Sequence, residues 1–115
     1  MSLRRWAEVQ ELAEPDKTLC DYDGPLPDDI EQRVWSLAAM LQARPLWIRH
    51  DRTRRGWHTV VRWSRKFEPA QLVAMQAILG SDRNREALNL SRVLSGIDTP
   101  GQELCWNILY SRKLK

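Results

Sequence analysis

The sequence has few of the features that define several common protein classes. Its two cysteines, Cys20 and Cys105, lie far apart and match no metal-ligand spacing, so we expect buried free thiols. No apolar run approaches the ~20 residues that a membrane-spanning helix needs, and residues 1–15 lack the apolar stretch of a signal peptide. We therefore expect a cytoplasmic protein with no membrane partner.

Glycine is scarce too, with five residues in 115, and none of them belongs to a Gly-rich phosphate loop or to the Gly-x-Ser-x-Gly elbow of hydrolases. The sequence also lacks internal repeats, low-complexity segments and linkers. With 43% hydrophobic and 29% charged residues, the composition is that of a globular domain. We expect one domain over residues 1–115, in which residues 1–16 are an extension or a short helix and residues 17–113 form the core.

The net charge of +3 hides an uneven distribution along the chain. Residues 1–35 contain nine acids and four bases, whereas residues 36–115 contain six acids and fourteen bases. A chain polarised in this way suits an anionic partner, or a basic surface that meets the acidic surface of a second copy.

The sequence pattern of residues 44–66 predicts a basic β-hairpin. Two runs rich in β-branched and aromatic residues, 46–52 and 57–65, flank a polar loop that ends in Gly56. Side chains alternate along a strand, so Val61 and Trp63 should face the core while His58 and Arg62 face the other way.

Eight cations and a single acid lie in this hairpin, interleaved with tryptophans. Cations suit phosphate contacts and exposed aromatic rings suit base stacking, which favours nucleic acid as the anionic partner. Charges that protect strand edges are the alternative explanation. The residues that we expect to bind nucleic acid are Trp47, Arg49, Arg52, Arg54, Arg55 and Arg62.

The remaining segments predict an α+β fold. An alternating run at residues 17–23 predicts a strand, a helix follows it, two further helices lie after the hairpin, and residues 103–111 alternate as a last strand. This order predicts a ferredoxin-like split βαββαβ fold, with a four-stranded antiparallel sheet, helices on one face and the other face open. Modules of the RNA-recognition type bind their ligand on such an open face.

Asp21 and Asp23 are the candidate metal ligands. Two carboxylates two residues apart on a strand point the same way, and with a further oxygen ligand they can hold Mg²⁺ or Mn²⁺ against the phosphates of a nucleotide. The same two residues also suit a strand-to-turn junction that has no chemistry. His58 is the candidate catalytic histidine, since a histidine beside arginines can contact phosphate, although a structural role is the alternative.

These motifs together resemble the catalytic core of archaeo-eukaryotic primases. The motifs LCDYD at residues 19–23 and GWH at residues 56–58 carry the resemblance, which extends over residues 17–113. It implies that Asp21 and Asp23 hold a divalent metal, that His58 contacts the phosphates of the incoming nucleotide, and that Arg62 is a further phosphate contact. Where the family has a third acid this chain has Asn89, which implies a minimal or inactivated core.

Two functions from different classes follow from these observations. The first is binding of DNA, RNA or nucleotides by a primase-polymerase-like domain, for which the resemblance implies a role in DNA replication or repair and, if it is an enzyme, metal-dependent nucleotidyl transfer. The second is a non-catalytic assembly module, in which the acidic N-terminal region of one copy pairs with the basic hairpin of another to form a homo-oligomer. The salt dependence of polynucleotide binding separates the two, because a phosphate-binding surface must show it.

Overall fold

The computed structural model describes residues 7–96 and 106–112, and the side chains of residues 11–96 and 106–110. In these ranges the chain forms, in order, β1 (Ala7–Glu11), β2 (Lys17–Tyr22), α1 (Ile30–Leu41), β3 (Pro45–Arg52), β4 (Trp57–Trp63), α2 (Pro69–Ile78), α3 (Arg83–Leu94) and β5 (Leu109–Arg112). The prediction of an α+β fold is confirmed. No helix of the described residues is long and apolar enough to cross a membrane.

The described strands form two antiparallel sheets, one with the order β2-β4-β3 and one that consists of β1 and β5. The predicted hairpin is confirmed, since β3 pairs with β4 and Arg49 lies opposite Val60. On the other side of β4, β2 places Asp21 opposite His58. A four-stranded ferredoxin-like sheet is not confirmed, because β5 pairs with β1 instead of extending the larger sheet.

Side chains from the helical half of the chain occupy the outer edge of β2. The amide of Leu19 donates to Gln76 Oε1 at 2.9 Å, and the carbonyl of Leu19 accepts from Arg85 Nη1 at 2.7 Å. Two residues further along, the amide of Asp21 donates to Ser81 Oγ at 3.0 Å. These bonds satisfy the backbone groups with which a fourth strand would pair.

The larger sheet is buried on both faces at β2 and β4. One face carries Cys20, Val61 and Trp63, which belong to the main hydrophobic core together with side chains of α1 and α2. On the opposite face, Leu109 of β5 packs with Leu19 and Val60, both 0% exposed. The prediction of an open second face is therefore wrong over these two strands, because the β1–β5 pair contributes an apolar cover.

The N-terminal region contains a strand and not the short helix that was one alternative for residues 1–16. Residues 7–11 form β1, whose antiparallel pairing with β5 shows a register shift between Val9 and Glu11. Residues 1–6 lie outside the described residues, as do Cys105 and the first part of the predicted last strand. Cys20 is a buried free thiol, as expected, and burial raises its pKa to about 12.

Helix α3 buries a polar face. The helical spacing of apolar residues in residues 82–94 predicts that Leu88 and Leu94 face the core. In the structure these two leucines are 53% and 78% exposed, whereas Glu86 and Asn89 are 5% and 4% exposed. Periodicity alone therefore assigned the wrong side of this helix to the interior.

Candidate nucleic-acid interface

A tryptophan and two arginines form a cluster on the sheet face that lies opposite α1 and α2. The guanidinium carbon of Arg49 lies 5.7 Å from the centre of the Trp47 ring, and that of Arg62 lies 5.8 Å from it. Trp47 is 39% exposed. The residue that sequence analysis proposed as a base-stacking platform thus already carries two cations against its ring.

Carboxylates hold both of these guanidinium groups. Arg49 donates to Glu11 Oε1 and to Asp51 Oδ2, each at 2.7 Å. These bonds, with that to Glu11 the strongest contribution, raise the pKa of Arg49 above its ordinary value. Asp51 comes from the same strand as Arg49, whereas Glu11 ends β1.

Arg62 is held in the same way by residues that precede β2. Its Nη2 donates to Glu14 Oε1 and its Nη1 to Asp16 Oδ2, both at 2.7 Å. The hydrogen bond to Glu14, together with that to Asp16, raises the pKa of Arg62. Two of the six residues predicted to bind nucleic acid, Arg49 and Arg62, are therefore neutralised within the chain.

The tip of the hairpin presents the other three predicted arginines. Arg52, Arg54 and Arg55 are exposed, and the guanidinium of Arg52 lies over the Trp57 ring at 5.3 Å. The turn is closed by a bond from the Thr53 amide to the Gly56 carbonyl at 2.9 Å. None of the three arginines forms an ion pair with a carboxylate in the described part of the chain.

A second group of cations lies at the opposite end of the hairpin. Arg44, Arg65 and Lys66 are exposed, and no carboxylate within residues 11–96 or 106–110 pairs with them. Arg65 packs over the ring of Phe67 at 4.2 Å and donates to the carbonyl of Leu41 at 3.2 Å. Among the residues whose side chains the structure describes, the hairpin therefore has cations without a carboxylate partner at both ends and neutralised cations between them.

The candidate catalytic residues are brought together in part. His58 Nε2 lies 3.4 Å from Asp21 Oδ1, and His58 lies opposite both Asp21 and Asp51 in the sheet. Asp23 follows β2 and is exposed. His58 itself is 4% exposed, so that a nucleotide would reach it only after neighbouring groups move.

The carboxylates near His58 do not make a ready cation site. Within the described residues no group of three or more histidine, cysteine, aspartate or glutamate side chains is placed to hold a metal ion. Asn89, the residue that the predicted resemblance to primases would put in place of a third acid, lies on α3 and accepts a bond from the Asn107 amide at 2.8 Å. A cation held by Asp21 and Asp23 would therefore need further oxygen ligands from the phosphates of a bound nucleotide.

A buried polar network beside β2 was missed by sequence reasoning. Glu86 accepts from Gln76 and from Ser81, each at 2.8 Å, and from Arg85 at 2.5 Å. Its signal in the sequence is the spacing of Glu86, Asn89 and Val93, which places two polar residues on the same helix face as a valine. Since this network bonds to the edge of β2, we assign it to the architecture and not to ligand binding.

Comparisons with protein-family models, with curated proteins and with solved structures found no match to this chain.

Proposed function

We propose that this chain is a nucleic-acid-binding domain that contacts phosphates with the cations at the two ends of the β3–β4 hairpin. The observation that carries the proposal is the difference between the arginines of the hairpin: Arg49 and Arg62 are neutralised, whereas the tip and base groups pair with no carboxylate of the described residues. The tip group is Arg52, Arg54 and Arg55, and the base group is Arg44, Arg65 and Lys66.

The spacing of the two groups suits a polyanion. A strand of seven to eight residues separates them, which is about 25 Å. A nucleic acid has phosphates at both ends of such a span, whereas a small anion would meet one group alone. A polynucleotide laid along the hairpin therefore uses both groups at once.

The primase-like interpretation is a separate hypothesis. In this hypothesis Asp21 and Asp23 hold Mg²⁺ or Mn²⁺ together with a bound nucleotide. The proposed role in DNA replication or repair comes from this hypothesis alone. The strand order β2-β4-β3 and the chain order β2, α1, β3, β4, α2 are compatible with a ferredoxin-like module of that kind.

One observation bears on the alternative, an assembly module. The acidic residues Glu11, Glu14 and Asp16 do contact the basic hairpin, as that hypothesis requires, but they do so within one chain. Pairing between copies would require exchange of this segment, and sedimentation of the protein at low and high salt would detect it.

The test of nucleic-acid binding is a fluorescence anisotropy titration of labelled single-stranded and duplex oligonucleotides over a range of salt concentrations. The tip variant Arg52→Ala/Arg54→Ala/Arg55→Ala should weaken binding and flatten the slope of log K against log salt by roughly 2–3 units, since each phosphate contact contributes about 0.7–0.9.

A matched control is Arg33→Ala/Arg83→Ala/Arg92→Ala, which removes the same charge away from the hairpin and should change the slope much less. An equal change in the two variants, or no salt dependence in the unmodified protein, would contradict the proposal.

A further inference from the structure

The carboxylates on Arg62 have the arrangement in which this side chain would hold a phosphate. A guanidinium presents two parallel N–H groups that match two oxygens of a phosphate or a carboxylate. Here Glu14 occupies Nη2 and Asp16 occupies Nη1, both at 2.7 Å, while the same guanidinium lies over the Trp47 ring. Two residues of the chain thus provide the two acceptor oxygens that a single phosphate group would provide.

These two carboxylates can leave Arg62 without unfolding the segment that carries them. The backbone of the segment is fixed independently, since the Asp16 carbonyl accepts from the Trp63 amide at 2.7 Å and the Pro15 carbonyl accepts from the Phe67 amide at 2.8 Å. The Glu14, Arg62 and Asp16 side chains are 46%, 31% and 25% exposed. Ion pairs between such exposed groups contribute little to stability, so an external anion can compete for the arginine.

Glu11 differs from these two residues. It forms a hydrogen-bonded ion pair with Lys17, whose side chain is 5% exposed, and also holds Arg49 at 2.7 Å. Glu14 Oε1 makes a longer contact with Lys17 Nζ, at 3.5 Å, and its shorter bond is the one to Arg62. A carboxylate that balances a buried lysine is costly to displace. The exchangeable pair is therefore Glu14 and Asp16, which we name the acidic screen.

We infer that Trp47 and Arg62 form a second nucleic-acid contact surface, and that the acidic screen competes with phosphate for it. The inference rests on the nucleic-acid binding proposed above, and adds the regulation of that binding by the chain's own carboxylates. The cations at the two ends of the hairpin contact phosphates first. Arg62 contacts a further phosphate when that phosphate displaces the acidic screen.

The test is the variant Glu14→Gln/Asp16→Asn, which keeps the backbone bonds and leaves the Glu11–Lys17 pair in place. It should bind a labelled single-stranded oligonucleotide about three- to tenfold more tightly than the unmodified protein at 0.1 M salt, with a slope steeper by about 0.7–0.9, the value of one added phosphate contact. The control variant is Asp28→Asn/Glu31→Gln, which removes the same charge from exposed positions elsewhere.

Arg62→Ala identifies the group responsible. In the unmodified protein it should change affinity by less than about twofold, because the arginine is screened, and in the Glu14→Gln/Asp16→Asn background it should abolish the gain. Equal gains in the screen and control variants, or a gain that survives Arg62→Ala, would overturn the inference.

The result is separable from that of the proposed function. If the unmodified protein binds through the tip arginines but the screen variant gains nothing beyond the control, the inference fails alone. If the tip variant binds normally while the screen variant gains through Arg62, the inference stands and the tip group loses its proposed role. Circular dichroism in the tryptophan region checks that each variant is folded.

Discussion

Arg85 Nη1 donates a hydrogen bond to the carbonyl oxygen of Leu19 at 2.7 Å, and a helix side chain thereby takes a place where a neighbouring strand would bond. The Nη2 of the same guanidinium donates to Asn107 Oδ1 at 2.9 Å, just before β5. One arginine of α3 therefore links the edge of the three-stranded sheet to the strand that pairs with β1.

We expect Arg85→Met to lower the free energy of unfolding by about 3–5 kcal/mol, because Glu86, 5% exposed, would lose its paired cation inside the protein. Urea denaturation measures this change. Arg83→Met is the matched control on the exposed side of the same helix, where we expect a change within about 0.5 kcal/mol. Equal small effects at the two positions would show that Arg85 is dispensable to the fold.

The sequence predicted well those elements whose signals are local. The residues around Gly56 predict the hairpin turn, and Glu68-Pro69 predicts the start of a helix, which α2 confirms by beginning at Pro69. The capping box between Glu68 and Gln71 at this start was not predicted. Such features depend on a few neighbouring residues and on backbone conformation.

The sequence did not reveal features that depend on partners far along the chain. Nothing near Leu19 indicates that Gln76 and Arg85, 57 and 66 residues away, will occupy its edge in place of a strand. The count of eight cations in the hairpin also overstated its free charge, because Arg49 and Arg62 are neutralised by residues 11–16. Long-range pairing of this kind has no periodicity to detect.

Gly56 and Gly24 provide a paired test of the junction between the hairpin turn and β2. A Cβ on Gly56 would lie 1.9 Å from the Tyr22 carbonyl oxygen, so Gly56→Ala requires the backbone to move. A Cβ added at Gly24 would meet no heavy atom within 4 Å. The free-energy cost of Gly24→Ala therefore comes from the backbone φ of +122° alone.

We expect Gly56→Ala to destabilise the protein by more than about 3 kcal/mol and Gly24→Ala by about 1–2 kcal/mol, measured by thermal and urea unfolding. A Gly56→Ala protein as stable as the Gly24→Ala protein would mean that this close approach is relaxed in solution.

Glu11 should make stability depend on pH in the acid range. Burial raises the pKa of Glu11, but hydrogen bonds from Lys17 and Arg49 lower it by more, and the net pKa lies below the ordinary 4.5. A group whose pKa is lower in the folded state stabilises that state above its unfolded pKa, and this contribution is lost as the pH falls through the folded pKa.

We therefore expect Glu11→Gln to destabilise the protein at pH 7 and to differ less from the unmodified protein at pH 3, as measured by urea unfolding at both values. Asp28→Asn, at an exposed position outside this cluster, should show no such convergence. A difference that is constant with pH would show that Glu11 acts through packing and not through its charge.

The primase-like hypothesis predicts a weak cation site at Asp21 and Asp23 that fills together with a nucleotide. Two carboxylates give two negative charges, and the phosphates of the nucleotide supply the missing oxygens. We expect calorimetric titration to show that Mn²⁺ binds more tightly in the presence of a nucleoside triphosphate, and that Asp21→Asn/Asp23→Asn abolishes this gain. The control variant Asp28→Asn/Glu31→Gln removes the same charge and should retain the gain in Mn²⁺ affinity.

A primer-synthesis assay on the same proteins tests whether catalysis accompanies this binding. We expect little or no product, because the position of the third acid is Asn89, whose amide group is engaged by Asn107 and Glu86, and two closely spaced cations would lack a bridging carboxylate. Mn²⁺ binding that persists in Asp21→Asn/Asp23→Asn would reduce the two aspartates to turn residues. Robust synthesis would instead show that another acid completes the site, and Asp51, which lies across His58 from Asp21 in the sheet, is the residue to substitute next.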